Sequence, residues 1–165
     1  MEPVQPEQMV QQAQPPQEPK AEVPPVEKES PAAFVATEDL YKKTFNEVQE
    51  TVAALTKIIS SGDYAQWVSF LTEAYVQSRS NAEFLATTSN AGVLKKSGIV
   101  LKSLQDYFEQ VVRPARIQVA VDDITFIDAT HVKAIMQIQG NPVIIYYLER
   151  EDARWKVGIL LNGDK

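Results

Sequence analysis

Apolar positions along this chain follow two different periods, and the change between them falls near Pro114. Upstream, Tyr41, Phe45, Val48, Val52, Leu55 and Ile59 recur at steps of three and four, the single stripe of an amphipathic helix about six turns long. Thr37 followed by Glu38 and Asp39 supplies an N-cap with acidic residues in the first turn, and Ser60-Ser61-Gly62 supplies the stop. Asp63 can cap a second helix whose apolar side carries Trp67, Val68, Leu71 and Tyr75, and so short a connection predicts an antiparallel pair. From Ser78 to Ser97 the pattern weakens. Asn81 can cap a short helix through Phe84 and Leu85, but Thr87-Thr88-Ser89-Asn90 and Gly92 interrupt it. A helical period returns with Ile99, Leu101, Leu104, Phe108, Val111 and Val112, and Pro114 is expected to close it.

Beyond Pro114 the period becomes two. From Ile117 to Leu161, β-branched and aromatic residues alternate with polar ones, and three polar breaks divide the stretch into four runs. The breaks are Asp128-Ala129-Thr130, Gln139-Gly140-Asn141-Pro142 and Glu151-Asp152-Ala153. Connections this short force neighbouring strands to pair antiparallel, because a parallel return needs a dozen residues or more. In the first run Ile117, Val119 and Val121 have the opposite parity to Ile124 and Phe126, which predicts a bulge at Asp122-Asp123. In the second, Val132, Ala134, Met136 and Ile138 share one face and His131, Lys133, Ile135 and Gln137 the other. The third, Val143 to Leu148, is apolar on both faces, as an inner strand should be; the fourth sets Trp155, Val157, Ile159 and Leu161 on one side. The expected fold class is therefore α+β, with N-terminal helices covering one face of a bent antiparallel sheet of four or more strands.

Composition narrows the function classes. The chain carries 16 Lys and Arg against 22 Asp and Glu, a net charge of −6, which disfavours nucleic acid and anionic lipid surfaces as partners. It has no cysteine, so thiolate metal sites and cysteine nucleophiles are excluded. No run approaches the length of a membrane span. Eight prolines (Pro3, Pro6, Pro15, Pro16, Pro19, Pro24, Pro25 and Pro31) lie within residues 1–36, among Gln, Glu, Ala and Val, so this segment reads as an extended, solvated tether and residues 37–165 as the folded domain. One reading of such a tether is the spacer that follows the lipidated N-terminal Cys of a bacterial lipoprotein, with Met1 standing where a trimmed chain has lost that Cys. Others are a tail without a partner and a docking peptide for a Pro-binding domain.

The order of helices and strands resembles the nuclear-transport-factor-like superfamily, which includes ketosteroid isomerase. The residues that carry the resemblance are Ser61-Gly62-Asp63-Tyr64-Ala65-Gln66-Trp67 at a helix entry, Ile124-Thr125-Phe126-Ile127-Asp128, Val132-Lys133-Ala134, Tyr146-Tyr147-Leu148-Glu149-Arg150 and Arg154-Trp155-Lys156-Val157. The resemblance spans about residues 37 to 161 and contains no catalytic motif. It implies a cystatin-like cone, in which helices close one side of a curved sheet over a pocket, and dimerisation through the other sheet face, where Ile135, Ile144 and Leu160 are candidates. One departure is that Ser78 to Ser97 carries little strand signal where that fold places a short hairpin.

Candidate chemistry is sparse. His131 is the sole histidine and hence the sole candidate imidazole base, but its parity opposes Val132, Ala134 and Met136 and so turns it away from a cavity under the helices. Asp122 and Asp123 are the carboxylates that a bulge could present inward; the same pair also serves as solvated edge protection. Tyr64, Trp67, Tyr75, Tyr107, Tyr146, Tyr147 and Trp155 could line an apolar pocket with polar tips, or simply fill the core. Because adjacent strand residues face opposite sides, one of Tyr146 and Tyr147 must point inward. No metal-ligand spacing, phosphate loop or serine elbow occurs, and no cofactor is implied. The expectation is a non-catalytic binding module, tethered in the periplasm or cell envelope, that holds a small apolar ligand or a protein partner. The alternatives are a small isomerase, dehydratase or hydrolase using a pocket aspartate, a dimerising structural subunit, and a cytoplasmic location.

Overall fold

The computed structural model describes residues 34–160. Helix α1 (Glu38–Ser61) starts where the side-chain oxygen of Thr37 accepts the Leu40 N–H and stops at Gly62, whose φ of 72° is the left-handed cap. A Cβ at Gly62 would lie 3.3 Å from the Arg113 guanidinium, so glycine here also permits the close approach of a later helix. Val48, Val52, Leu55 and Ile59 of the predicted stripe are buried to 1% exposure or less and form the centre of the core.

The second predicted helix is two. Helix α2 (Tyr64–Ser69) begins on the Asp63 carboxylate, and α3 (Glu73–Ser80) begins on Thr72, whose hydroxyl accepts the Tyr75 N–H. Between them Phe70 to Thr72 lie along the last strand, with Val157 N–H donating to Phe70 (2.7 Å) and Thr72 N–H donating to Val157 (2.9 Å). The helix breaks because this short segment pairs with a strand edge that would otherwise be bare. Two more short helices follow, α4 (Ala82–Ser89) and α5 (Gly92–Ser97). They occupy the stretch where the resemblance would place a hairpin, and they bury Leu85 and Leu94 with Leu101 in a small satellite core. Buried Ser89 ties it together, donating to Leu85 O and accepting the Leu101 N–H at 2.8 Å.

Pro114 does not end the next helix. Helix α6 (Leu104–Tyr107) runs into a π-helical turn (Phe108–Val112) and on into α7 (Arg113–Arg116), with Pro114 inside α7. In a regular α-helix the proline ring would meet the carbonyl four residues earlier. The wider π turn, in which Arg113 N–H donates to Phe108 O, makes room for it.

The sheet is a meander in the order β1 (Asp123–Phe126), β2 (His131–Ile138), β3 (Asn141–Glu151), β4 (Arg154–Gly158), antiparallel throughout. Both tight hairpins have two residues at positive φ: Gln139 and Gly140 (52° and 80°), and Asp152 and Ala153 (48° and 63°). Such turns match the twist of the strands they join. Ile124, Val132, Ala134, Tyr146, Leu148, Trp155 and Val157 turn one sheet face onto the helices, where Trp67 and Phe108 pack with ring centroids 4.8 Å apart.

Two sequence expectations for the sheet are corrected. The first strand starts only at Asp123, because Arg116 still belongs to α7. The bulge lies not at Asp122-Asp123 but between β2 and β3, where Ala134 faces Tyr146 and the next residue, Ile135, faces Ile144. Most of the expected tether (1–33), and Leu161 of the fourth run, lie outside the described residues. Phe34 packs its ring 5.5 Å from that of Phe126, so the folded unit begins upstream of Thr37.

Candidate functional site

A cavity of about 250 Å³ lies between α2, α3, the π turn and α7 on one side and β3 and β4 on the other. Strand β4 ends at Gly158, opposite Tyr147, whereas β3 extends to Asn141, so among the described residues Ile144 and Tyr146 pair with β2 alone. The bulge leaves Ile145 unpaired and turns it inward beside Tyr146, so two adjacent residues are both buried. Trp67, Val112, Ile145 and Val157 make an apolar inner wall, and exposed Ile144 and Ala115 mark the outer end.

Four tyrosines and two arginines line this space: Tyr75, Tyr107, Tyr146, Tyr147, Arg79 and Arg116. Arg79 lies over the Phe84 ring (4.5 Å to its centroid) and that of Tyr75 (5.4 Å); Arg116 lies over Tyr146 (5.6 Å). These cation–π contacts place both guanidinium groups against aromatic rings, an arrangement that leaves N–H groups able to donate elsewhere. Among the described residues no carboxylate lines the cavity. The Tyr146 hydroxyl and Arg79 Nε are both buried without a hydrogen-bond partner. Burial pushes the Tyr146 phenol up to about 12, against the opposing pull of Arg116. Burial also raises Tyr75 strongly, with Tyr107 adding and Arg79 opposing. Both are therefore neutral donors at physiological pH.

Five of the seven aromatics expected from the sequence meet here: Trp67, Tyr75, Tyr107, Tyr146 and Tyr147. Tyr146 is the inward member of its pair, 7% exposed, and half-buried Tyr147 turns toward the other sheet face, where it pairs with Lys133. Tyr64 and Trp155 are not among the lining residues. Tyr64 packs on Trp67 and Phe108, and burial raises its phenol. Trp155 is a strut between sheet and α1: its indole N–H donates to Glu47 at 3.0 Å, and Arg150 reaches the same carboxylate at 3.6 Å.

The polar candidates are occupied elsewhere. Asp123 accepts the Tyr41 hydroxyl at 2.5 Å and the Ile124 N–H at 2.7 Å, and it raises the Tyr41 phenol through that bond. Exposed Asp122 accepts the Gln137 N–H at 2.7 Å and so extends the sheet edge. His131 faces away from the cavity, as its parity predicts. Its Nδ1 lies 2.8 Å from Asp128 Oδ1 and 3.0 Å from Thr130 Oγ1, and Nε2 lies 3.6 Å from Glu149. Burial alone would raise the Asp128 carboxyl, but hydrogen bonds from Thr130 and His131 outweigh it and lower it. Of the expected dimer face, Ile144 is 40% exposed while Ile135 and Leu160 are half-buried, and Lys133, Glu149 and Lys156 lie among them.

Sequence reasoning missed both arginines. Arg79 stands four residues after Tyr75 on α3, a spacing at which helical side chains meet, and that signal was available. Arg116 carried none, because its aim depends on the π turn. Among the described residues no group of three or more His, Asp or Glu side chains is placed to hold a metal, and no helix is long and apolar enough to cross a membrane.

No family model matches the chain, and no solved structure matches it. The chain is similar to an uncharacterized lipoprotein of Treponema pallidum (strain Nichols), with 37% identity over 117 residues that cover 71% of this chain and 62% of that protein. It therefore spans less than two thirds of the length of the relative it matches.

Proposed function

We propose that this chain carries a non-catalytic binding domain of a cell-envelope lipoprotein, holding a small, largely apolar ligand between its helices and the sheet. The observation that carries the reading is the cavity itself, with Trp67 in its inner wall and four tyrosines along it. Its volume of about 250 Å³ lies just below the usual span of small-molecule sites, about 300–1,000 Å³, which suits a compact ligand. The likeness to a treponemal lipoprotein supports the envelope setting, and residues 1–36 have the composition of a spacer beyond a lipid anchor. Helices followed by an antiparallel meander over a cavity also support kinship with the nuclear-transport-factor-like superfamily. The enzymatic alternative draws no support from Asp122 and Asp123, since both carboxylates accept backbone N–H groups outside the cavity.

Tryptophan fluorescence tests this reading. Trp67 lines the cavity and Trp155 does not, so a ligand should give a saturable quench or blue shift that survives in Trp155→Phe and is lost in Trp67→Phe. A broad panel of small aliphatic and aromatic compounds that leaves the emission unchanged, with no thermal stabilisation by any member, sinks the proposal.

A further inference from the structure

The proposed ligand-holding role leaves open what the ligand carries, and the charge pattern of the cavity bears on that directly. The chain is acidic overall, with 22 Asp and Glu against 16 Lys and Arg, yet among the described residues the cavity wall contains two arginines and no carboxylate. The other buried or half-buried arginines have partners: Arg113 pairs with Glu109 at 2.6 Å and Arg150 with Glu47 at 3.6 Å. Arg79 and Arg116 have no carboxylate within ion-pair distance among the described residues, and Arg116 donates instead to the carbonyl of its own neighbour, Ala115, at 3.3 Å. Arg79 Nε and the Tyr146 hydroxyl, both without a hydrogen-bond partner, belong to the same wall.

We infer that the cavity selects a small monocarboxylate, its apolar body against Trp67, Val112 and Val157 and its carboxylate between Arg79, Arg116 and the Tyr146 hydroxyl. This rests on the ligand-holding reading above. Each part answers a deficit in the protein. A carboxylate supplies the missing negative charge, and its two oxygens give lone pairs to guanidinium N–H groups already placed against aromatic rings. Its remaining acceptor capacity takes the Tyr146 O–H, a phenol that is neutral at physiological pH and that burial pushes further up. The apolar inner wall and the modest volume restrict the rest of the molecule to a short aliphatic or single-ring body.

Matched probes of one body and different heads test the inference on the full chain: hexanoate, 1-hexanol and hexyl phosphate, followed by Trp67 fluorescence and calorimetry. Hexanoate should bind about tenfold or more tighter than 1-hexanol. In Arg79→Gln and Arg116→Gln that preference should shrink, and in the double variant vanish. Far-UV circular dichroism and the thermal transition show that the variants are folded. Equal affinity for acid and alcohol in the wild type overturns the carboxylate inference and leaves the binding role standing. Stronger binding of hexyl phosphate overturns the head-group assignment. Failure of all three probes overturns this inference and leaves the binding role to the broad panel above, whereas a hexanoate preference that survives in the double variant overturns the assignment to these arginines.

Discussion

Replacing Tyr146 with Phe removes one oxygen from a side chain that is 7% exposed and whose hydroxyl has no hydrogen-bond partner. Most Tyr→Phe changes in a core lose a hydrogen bond and destabilise; this one should do the reverse. Burying an unpaired hydroxyl costs roughly 1–3 kcal/mol. The adjoining space of about 250 Å³ is large enough for water, which recovers part of that cost. A gain of about 0.5–1 kcal/mol in the ligand-free protein is expected, or a rise in Tm of about 2–4 °C for a domain of this size. Urea unfolding and calorimetry measure it. Tyr75→Phe is the control, because the Tyr75 hydroxyl interacts with Tyr107 and Arg79 and its loss should cost about 1 kcal/mol. Opposite signs for the two variants support the orphaned donor. Should Tyr146→Phe destabilise as much as Tyr75→Phe, the hydroxyl has a partner in the folded protein, and the reasoning about an unmet donor in the cavity fails.

Ala153→Gly should stabilise the domain by about 0.5–1 kcal/mol, since Ala153 is exposed, sits at φ 63° and loses no packing, and chemical denaturation would read the change. Trp155→Phe should cost about 1 kcal/mol through loss of the indole hydrogen bond to Glu47, which keeps Arg150 as a partner, yet leave ligand affinity within about twofold; a large loss of affinity would place Trp155 in the site after all. Tyr41, Tyr64, Tyr75 and Tyr146 all have raised values, so the stability they confer is complete below about pH 10 and is lost as pH rises through their folded values, near 12 for Tyr146. Phenolate absorbance should therefore rise late and together with unfolding, and normal titration of every tyrosine near pH 10 in folded protein would contradict it.

The parts of the fold legible in the sequence were those with local, repeated signals. The Thr37 cap, the stripe from Tyr41 to Ile59 and the Gly62 stop lie within one helix, and the meander follows from short polar breaks and a period of two. The helix break at Phe70–Thr72 was harder because its cause is distant: a partner edge on β4, near Val157. Even so, Thr72-Glu73 repeats the capping signature of Thr37-Glu38 and was readable. The aromatic part of the site was legible because parity and helical spacing locate large side chains. Its cationic part was not, since the aim of Arg116 and the inward turn of Ile145 depend on one irregular helical turn and one register shift, neither of which has a compositional mark.

That irregular turn also fixes an angle. A residue added to or removed from an α-helix rotates everything beyond it by about 100° relative to everything before it. The π turn at Phe108–Val112 is such an addition, wound into the helix between Leu104 and Arg116. It lets Phe108 and Val112 stay in the core while Arg116, one turn later, swings over Tyr146. Deleting a single residue from the turn would drive the Pro114 ring into the carbonyl four residues earlier and carry Arg116 round the helix, away from the cavity. The length of one helix, counted to the residue, thus sets the polarity of a cavity whose walls are otherwise apolar.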